Sequence, residues 1–161
     1  MKTKTNETNW TYKNILGLFS IAYEPLKDYM ERWRIKSSVF KYIKIGKIFL
    51  GEIRIHHILR SDKDRDLHDH PFDFYSFILG PYTEVIYKNQ TDGTKFDDEQ
   101  IKVSRRRFSI TYHEASHLHR LILEKPVWTI VFASNKKRDW GFLTEDGWVY
   151  WEDYEFFEKK A

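Results

Sequence analysis

The sequence of residues 67–80 is LHDHPFDFYSFILG, and this stretch decides the fold that we expect for the chain. His68 and His70 are two residues apart, so on an extended chain their side chains project to the same side. Pro71 suits the beginning or the edge of a strand, because it has no N–H to donate to a neighbouring strand. Residues 74–79 are typical of a strand. The two histidines are therefore predicted to lie at the mouth of a β-barrel.

A metal site is the chemistry that this pattern indicates. Asp73 follows His70 by three residues, and His119 lies far downstream in another predicted strand, on the same face as two leucines. The chain contains no cysteine, so imidazole and carboxylate groups are the ligands that remain. A mixed nitrogen and oxygen shell suits iron, manganese, nickel or zinc. We therefore predict that His68, His70, Asp73 and His119 hold a divalent metal ion.

The bulk composition excludes several other classes of protein. A length of 161 residues fits one domain. The net charge of +3, from 27 basic and 24 acidic residues, is too small to direct the chain to nucleic acid or to an anionic membrane, so we expect neither partner. The polar start contains no signal-peptide core, and no stretch is long and apolar enough to span a bilayer. A cytoplasmic location is the resulting expectation.

The first 38 residues are predicted to form an N-terminal helical arm. Apolar residues recur at helical spacing within 10–20, and again from Leu26 to Trp33 behind Pro25. From Val39 the apolar period changes to two, which is a strand signal. We expect strands at 74–79, 83–88, 101–104, 107–112, 118–124, 127–133 and 148–151, with a turn at 89–94. Many short strands indicate an all-β barrel or sandwich over residues 39–161.

Four further side chains are expected to orient the ligands through hydrogen bonds or to line a pocket beside the metal: His57, His117, Tyr82 and Glu84. His57 shares a predicted strand face with Ile53, so we expect it to enter the barrel and His56 to point the other way. His117 is two residues before His119, so on an extended chain both side chains would lie on the same face.

The residues from His68 to Gly80 resemble the first motif of the cupin superfamily. In that motif a histidine, one residue, a second histidine, a short gap, an acid and six further residues lead to glycine. Asp73 keeps the final spacing, although it replaces the usual glutamate and follows the second histidine one residue early. Of the second cupin motif only the histidine is retained, as His119. The resemblance covers roughly residues 39–155. Over this range the chain is similar to small cupin-like proteins of bacteria and phages.

The resemblance implies a double-stranded β-helix, or jelly-roll barrel, with one metal ion in its mouth. Cupins include both enzymes and binding proteins, so the fold does not name the reaction. Our first hypothesis is a metal-dependent enzyme acting on a small molecule, with non-haem iron dioxygenase chemistry slightly ahead of isomerisation or epimerisation. The alternative is a non-catalytic module that recognises a sugar, nucleotide or peptide. Cupin-like relatives often pair through edge strands, so a homodimer is expected.

Overall fold

Two antiparallel sheets contain most of the described chain. The computed structural model describes residues 11–15, 17–64, 66–88, 90 and 99–154, with backbone alone at 11–15. The strands are β1 (Thr11–Ile15), β2 (Phe19–Leu26), β3 (Met30–Ser37), β4 (Lys44–Ile45), β5 (Ile48–Phe49), β6 (Glu52–Ile58), β7 (Leu67–His68), β8 (Phe74–Ile78), β9 (Tyr82–Tyr87), β10 (Gln100–Arg105), β11 (Ile110–His113), β12 (His119–Ile122), β13 (Val127–Ala133), β14 (Gly141–Thr144) and β15 (Gly147–Tyr150). A 3-10 helix covers Phe40–Tyr42. The all-β class predicted from the sequence is confirmed.

The two large sheets pack face to face. The seven-stranded sheet has the order β1-β2-β3-β6-β13-β8-β11, the six-stranded sheet has the order β10-β9-β12-β7-β14-β15, and β4 pairs with β5 separately. Ile58, Ile78 and Val127 of the seven-stranded sheet form one buried cluster with Tyr82 and Leu121 of the six-stranded sheet. This cluster is the apolar core between the sheets. No helix among the described residues is long and apolar enough to cross a membrane.

The predicted N-terminal helical arm is wrong, because its described residues form strands. β1, β2 and β3 are consecutive antiparallel strands, and β3 pairs with β6 along the seven-stranded sheet. Residues 1–10 of the predicted arm lie outside the described residues. The arm therefore extends the sheet of the barrel instead of forming a helical appendage.

The physical reason for this error is a hairpin that imitates helical spacing. Leu26 and Met30 are four residues apart, as on one face of a helix, but they lie opposite each other across the turn between β2 and β3. Asp28 in that turn has φ 56°, and Gly17 between β1 and β2 has φ 68°, so both lie in the left-handed region that tight turns use. The four-residue spacing of Leu26 and Met30 therefore arises from two paired strands.

Strand β6 is inverted relative to the sequence prediction. Ile58 belongs to the core, so Glu52, Arg54 and His56 lie on the same inward face by alternation. His57 lies on the outward face, where its ring stacks on Trp128 with 4.3 Å between the ring centroids. The prediction that His57 enters the barrel is therefore wrong, and His56 takes the inward position.

Ion pairs occupy the inward face of β6 and of its neighbour β3. Glu52 is buried and pairs with Arg54 and with Arg34, whose Nη2 lies 2.7 Å from the carboxylate. His56 lies beside these cations, and its Nε2 is buried without a hydrogen-bond partner among the described residues. Burial, and then the charges of Arg32 and Arg54, hold the pKa of His56 well below its usual value. His56 is therefore neutral in the folded chain near neutral pH.

The burial of neutral His56 predicts a pH dependence of stability. The pKa of histidine in an unfolded chain is about 6.5, so between neutral pH and pH 5 the unfolded state binds a proton that folded His56 does not. The free energy of unfolding therefore decreases as the pH is lowered. His56→Gln should lose less stability over this range than the wild type, measured by urea unfolding at several pH values. His57→Gln, on the outward face, is the matched control. Equal pH dependence in the wild type and His56→Gln would contradict this assignment.

Ile78→Ala tests the core between the sheets. Ile78 is completely buried in the shared cluster, so the truncation should lower the free energy of unfolding by about 2–5 kcal/mol. Ile110→Ala makes the same change at a position that is 65% exposed in β11 of the same sheet, and it should change stability by at most about 0.5 kcal/mol. Chemical denaturation measures both, and equal losses would show that this cluster is not the core.

Candidate metal centre

Three histidines from separate parts of the chain converge between the sheets. One ring nitrogen from each of His68, His70 and His119 lies within 4.8 Å of the others, and we call these residues the first cluster. His68 ends β7 and His119 begins β12, and the two residues lie opposite each other in the pairing of these strands. His70 follows β7, where its backbone N–H donates to the carbonyl of Ala115 over 2.9 Å. Strand pairing and this loop contact thus bring the imidazoles together.

The imidazoles of the first cluster lie close together, with His119 buried and His68 and His70 half-buried. The ring centroids are 5.2 Å apart for His68 and His70, 4.9 Å for His68 and His119, and 4.8 Å for His70 and His119. The Nε2 atoms of His70 and His119 are 2.6 Å apart. Burial, followed by smaller contributions from neighbouring charges, lowers the pKa of His68 to about 4, and burial with the neighbouring histidines lowers that of His70 well below its usual value. Both rings are therefore neutral near pH 7, which is the form that binds metal.

Glu84 is a fully buried carboxylate beside the first cluster. Its Oε1 accepts hydrogen bonds from Nδ1 of His119 and from Nε2 of His113, the latter over 2.9 Å, and its Oε2 pairs with Arg105. Burial alone would raise the pKa of Glu84, but the His119 and His113 interactions outweigh it and hold the pKa far below the usual range. Glu84 is therefore ionised, and it fixes the orientation of the His119 ring.

A second group of ligand-type side chains adjoins the first. Glu84, His113 and His117 place one ligand atom each within 4.8 Å of the others, and we call these residues the second cluster. His113 ends β11 of the seven-stranded sheet, whereas Glu84 lies on β9 of the six-stranded sheet. Five of the seven histidines of the chain therefore lie in one continuous region of the interior.

Asp73 lies elsewhere, contrary to its predicted place in the metal shell. Among the described residues it belongs to neither cluster. Its Oδ1 accepts the backbone N–H of Ala115 over 2.9 Å, and its Oδ2 pairs with Lys137 and accepts the Tyr112 hydroxyl over 3.5 Å. In β8 every second side chain is buried, beginning with Phe74. Asp73 is one residue earlier, so its side chain lies on the opposite face from that of Phe74. Asp73 thus joins three chain segments instead of facing the imidazoles.

The other predicted neighbours of the metal have different outcomes. Glu84 and His117 lie next to the histidines of the first cluster. Tyr82 is buried in the apolar core, two residues before Glu84. His57 is on the outward face of β6, with its Nδ1 2.9 Å from Oε2 of Glu31. The last two therefore have structural contacts that do not line the site.

Sequence reasoning missed two residues of this region. It gave His113 no role beside the metal, although His113, His117 and His119 have the same parity. Arg105 was not among the predicted site residues, although it pairs with buried Glu84. The signal that could have found Arg105 is the inward carboxylate itself, because a buried charge requires an opposite charge nearby.

Comparison with known proteins shows the fold and no more. No protein-family model matches the chain, and no curated protein matches it by sequence. The oxalate decarboxylase of Lactobacillus farciminis, solved as a formate complex, is similar over 76% of this chain and 33% of its own length, with TM-score 0.51 and 13% identity. Hazelnut (Corylus avellana) vicilin is similar over 68% of this chain and 30% of its own, with TM-score 0.49 and 10% identity. A DMSP lyase is similar over 78% and 56%, with TM-score 0.45 and 10% identity.

The likeness to the oxalate decarboxylase is one of fold, so the jelly-roll architecture implied by the cupin resemblance is confirmed. The chain spans about one third of the oxalate decarboxylase and about half of the DMSP lyase. The identities are too low for the activities of these proteins to be transferred to this chain.

Glu84→Gln tests the buried carboxylate. The substitution keeps the shape but removes the charge that Arg105 faces, so it should lower the free energy of unfolding by about 3 kcal/mol. Glu99→Gln is the matched control, because Glu99 pairs with Lys88 at the surface and its loss should cost at most about 1 kcal/mol. Urea denaturation compares the two variants. A loss for Glu84→Gln no larger than for Glu99→Gln would show that Glu84 does not organise the interior.

Proposed function

We propose that the chain is a metal-dependent enzyme that acts on a small molecule and that His68, His70 and His119 hold its divalent ion. The observation that carries the proposal is the convergence of three imidazoles from two strands and a loop, with ligand atoms within 4.8 Å of one another. Three protein ligands are the number that catalytic metal sites use, because positions then remain open for substrate. The His and Glu groups present in this region could hold a metal ion.

The protonation of the first cluster fits a metal ion. When His119 donates its Nδ1 proton to Glu84, its Nε2 carries the lone pair. That nitrogen faces Nε2 of His70 at 2.6 Å, so one proton must lie between them unless a cation takes both lone pairs. A carboxylate that holds the far nitrogen of a ligating histidine is the usual support of such sites.

The ligand set narrows the choice of metal. The first cluster contains three imidazoles and no carboxylate. Imidazole suits zinc, iron and nickel, whereas manganese prefers oxygen ligands. Among the four metals expected from the sequence, manganese therefore fits this cluster least well.

Aromatic rings lie beside two histidines of the first cluster. The ring of Phe74 lies 4.8 Å from that of His70, and the ring of Trp140 lies 6.1 Å from that of His68. An ion bound there would supply one-electron redox or Lewis-acid chemistry to the substrate. Three imidazoles suit iron, so dioxygenase chemistry is our first choice, and isomerisation or epimerisation through a polarised carbonyl is the second.

One observation favours a non-catalytic binding module instead. The contact between Nε2 of His70 and Nε2 of His119 is a satisfactory hydrogen bond if one ring carries the proton, so the cluster is also stable without an ion. In that case the imidazoles would recognise a sugar, nucleotide or peptide through hydrogen bonds. The homodimer and the cytoplasmic location expected from the sequence stay predictions.

Metal affinity tests the proposed ligands. Zinc added to the chelator-stripped, untagged protein should bind to the wild type. His70→Ala and His119→Ala should each lower the zinc affinity by more than about 100-fold. Asp73→Asn should keep full affinity, because Asp73 faces other partners. His57→Ala is the matched histidine control. Isothermal titration with elemental analysis measures each protein, and a wild type that binds no ion would refute the proposal.

Turnover then separates the candidate functions. The iron-loaded protein is offered a panel of small organic acids, sugars and thiols while dissolved oxygen is recorded. Oxygen uptake that disappears in His70→Ala supports the dioxygenase, and product formed without oxygen uptake by the zinc-loaded protein supports the isomerase. A ligand that binds the metal-free protein at full strength, without turnover, supports the binding module and contradicts the enzyme.

A further inference from the structure

We infer that Asp69 is a positioning residue for the proposed metal centre. It joins the chain between His68 and His70 to the β14–β15 hairpin, and these contacts fix where the two imidazoles lie relative to each other. The inference rests on the proposed function and deepens it, because Asp69 would set the geometry of the first cluster without touching the ion. The residue is only 2% exposed, and a buried carboxylate requires partners.

The Asp69 side chain points away from the two histidines that flank it. Successive side chains of an extended chain project to opposite faces, and His68 and His70 both face the first cluster. Oδ1 of Asp69 accepts the backbone N–H of Gly141 over 2.8 Å, and Oδ2 accepts the indole Nε1–H of Trp148 over 3.0 Å. Gly141 begins β14 and Trp148 lies on β15, so one carboxylate contacts both strands of the hairpin.

Gly141 makes room for the indole that reaches Asp69. A Cβ at this position would lie 2.9 Å from Cζ2 of Trp148 and would also clash with the carbonyl oxygen of Val149. Because glycine has no such atom, the Trp148 ring can lie over Gly141. The carbonyl of Gly141 also accepts the backbone N–H of Asp69 over 3.0 Å. The hairpin therefore holds Asp69 through its backbone and through its side chain.

Arg138 holds the chain on both sides of His70. Its Nη2 lies 3.1 Å from Oδ2 of Asp69, and its backbone N–H donates to the carbonyl of Pro71 over 3.3 Å. The backbone N–H of Lys137 donates to the same carbonyl over 2.7 Å. His70 lies between Asp69 and Pro71, so both of its neighbours in the chain are tied to the segment that leads into β14.

The contacts of Asp69 matter for a metal ion because coordination tolerates little displacement. A bond from zinc to a histidine nitrogen is about 2.0–2.1 Å long, and a binding site requires its ligands within about 0.5 Å of the productive arrangement. His68 and His70 are the immediate neighbours of Asp69 in the chain, whereas His119 lies on β12. Loss of the Asp69 contacts would therefore displace two of the three ligands relative to the third.

Zinc affinity in matched variants tests the inference. Asp69→Asn keeps the size of the side chain but replaces an acceptor oxygen by an NH2 group, so it should lower the zinc affinity about 10-fold. Zinc is titrated into the chelator-stripped, untagged protein in competition with a chromophoric chelator. Asp139→Asn is the matched control and should keep the affinity of the wild type, because Asp139 pairs with Lys136 at the surface.

A double-mutant cycle separates positioning from a purely structural role. Trp148→Phe removes the indole N–H and keeps an aromatic ring, so it should also lower the zinc affinity. The variant with both changes should bind zinc no more weakly than Asp69→Asn alone, because the indole acts on the ion through the carboxylate. Trp128→Phe, on the outward face of the other sheet, should bind zinc as the wild type does.

Cobalt(II) provides a readout that a loss of stability alone would not change, since its visible absorption depends on the geometry of its ligands. The spectrum of bound cobalt should differ between Asp69→Asn and the wild type and should be the same in Asp139→Asn. A lower free energy of unfolding for Asp69→Asn, together with unchanged zinc affinity and an unchanged cobalt spectrum, would overturn the inference.

The outcomes distinguish this inference from the proposed function. A wild type that binds no zinc overturns the metal centre and the role of Asp69 with it. Zinc binding that is lost in His70→Ala but is as strong in Asp69→Asn as in the wild type overturns the role of Asp69 alone. If Asp69→Asn does not fold, Trp148→Phe, which keeps the carboxylate, provides the same test: wild-type zinc affinity and an unchanged cobalt spectrum in that variant would overturn the inference.

Discussion

A buried negative charge is the constraint on which the interior of this protein depends. Glu84 is completely buried, and a carboxylate in such a place is tolerated only when it is paired and hydrogen-bonded. Arg105, His113 and His119 supply that pairing from three different strands. Because His113 belongs to the seven-stranded sheet and Glu84 to the six-stranded sheet, the same contacts also tie the two sheets together.

This constraint divides the space between the sheets into two parts. At one end Ile58, Ile78 and Leu121 form an apolar core together with Tyr82. Two residues further along β9, Glu84 begins the polar end, where the histidines lie. The apolar end provides stability through burial, while the polar end presents the histidine side chains that could bind a metal ion. The fold thus places its ligand-type side chains on a rigid support.

The sequence predicted those features that local periodicity determines. Strand β13 was predicted with its observed bounds, Val127–Ala133, because its apolar run is flanked by turn signals. The convergence of His68 and His70 followed from the alternation of side chains on an extended chain. The inward direction of His119 followed from its leucine neighbours. These predictions needed no knowledge of which strands pair.

The features that the sequence did not predict depend on contacts between distant segments. The spacing of Leu26 and Met30 fits a helix and a hairpin equally well, and only the pairing of β3 with β6 selects the hairpin. Strands β7 and β14 were not predicted, since β7 is only two residues long.

The side of a strand that faces inward can also depend on its partners. On β6 Ile53 and Ile55 face outward, whereas Glu52 and Arg54 share the inward face with Ile58, because Arg34 of β3 provides a partner for Glu52. The alternation of polar and apolar residues reveals two faces, but it does not identify the inward face when buried ion pairs are present. The predicted turn at 89–94 lies outside the described residues except for residue 90.

Anomalous scattering from crystals soaked with one equivalent of zinc tests the central claim most directly. The account predicts one strong peak at about 2.0–2.1 Å from a ring nitrogen of each of His68, His70 and His119, with Glu84 hydrogen-bonded behind His119. A peak beside Asp73, or imidazoles that remain in contact with each other without a peak, would contradict it.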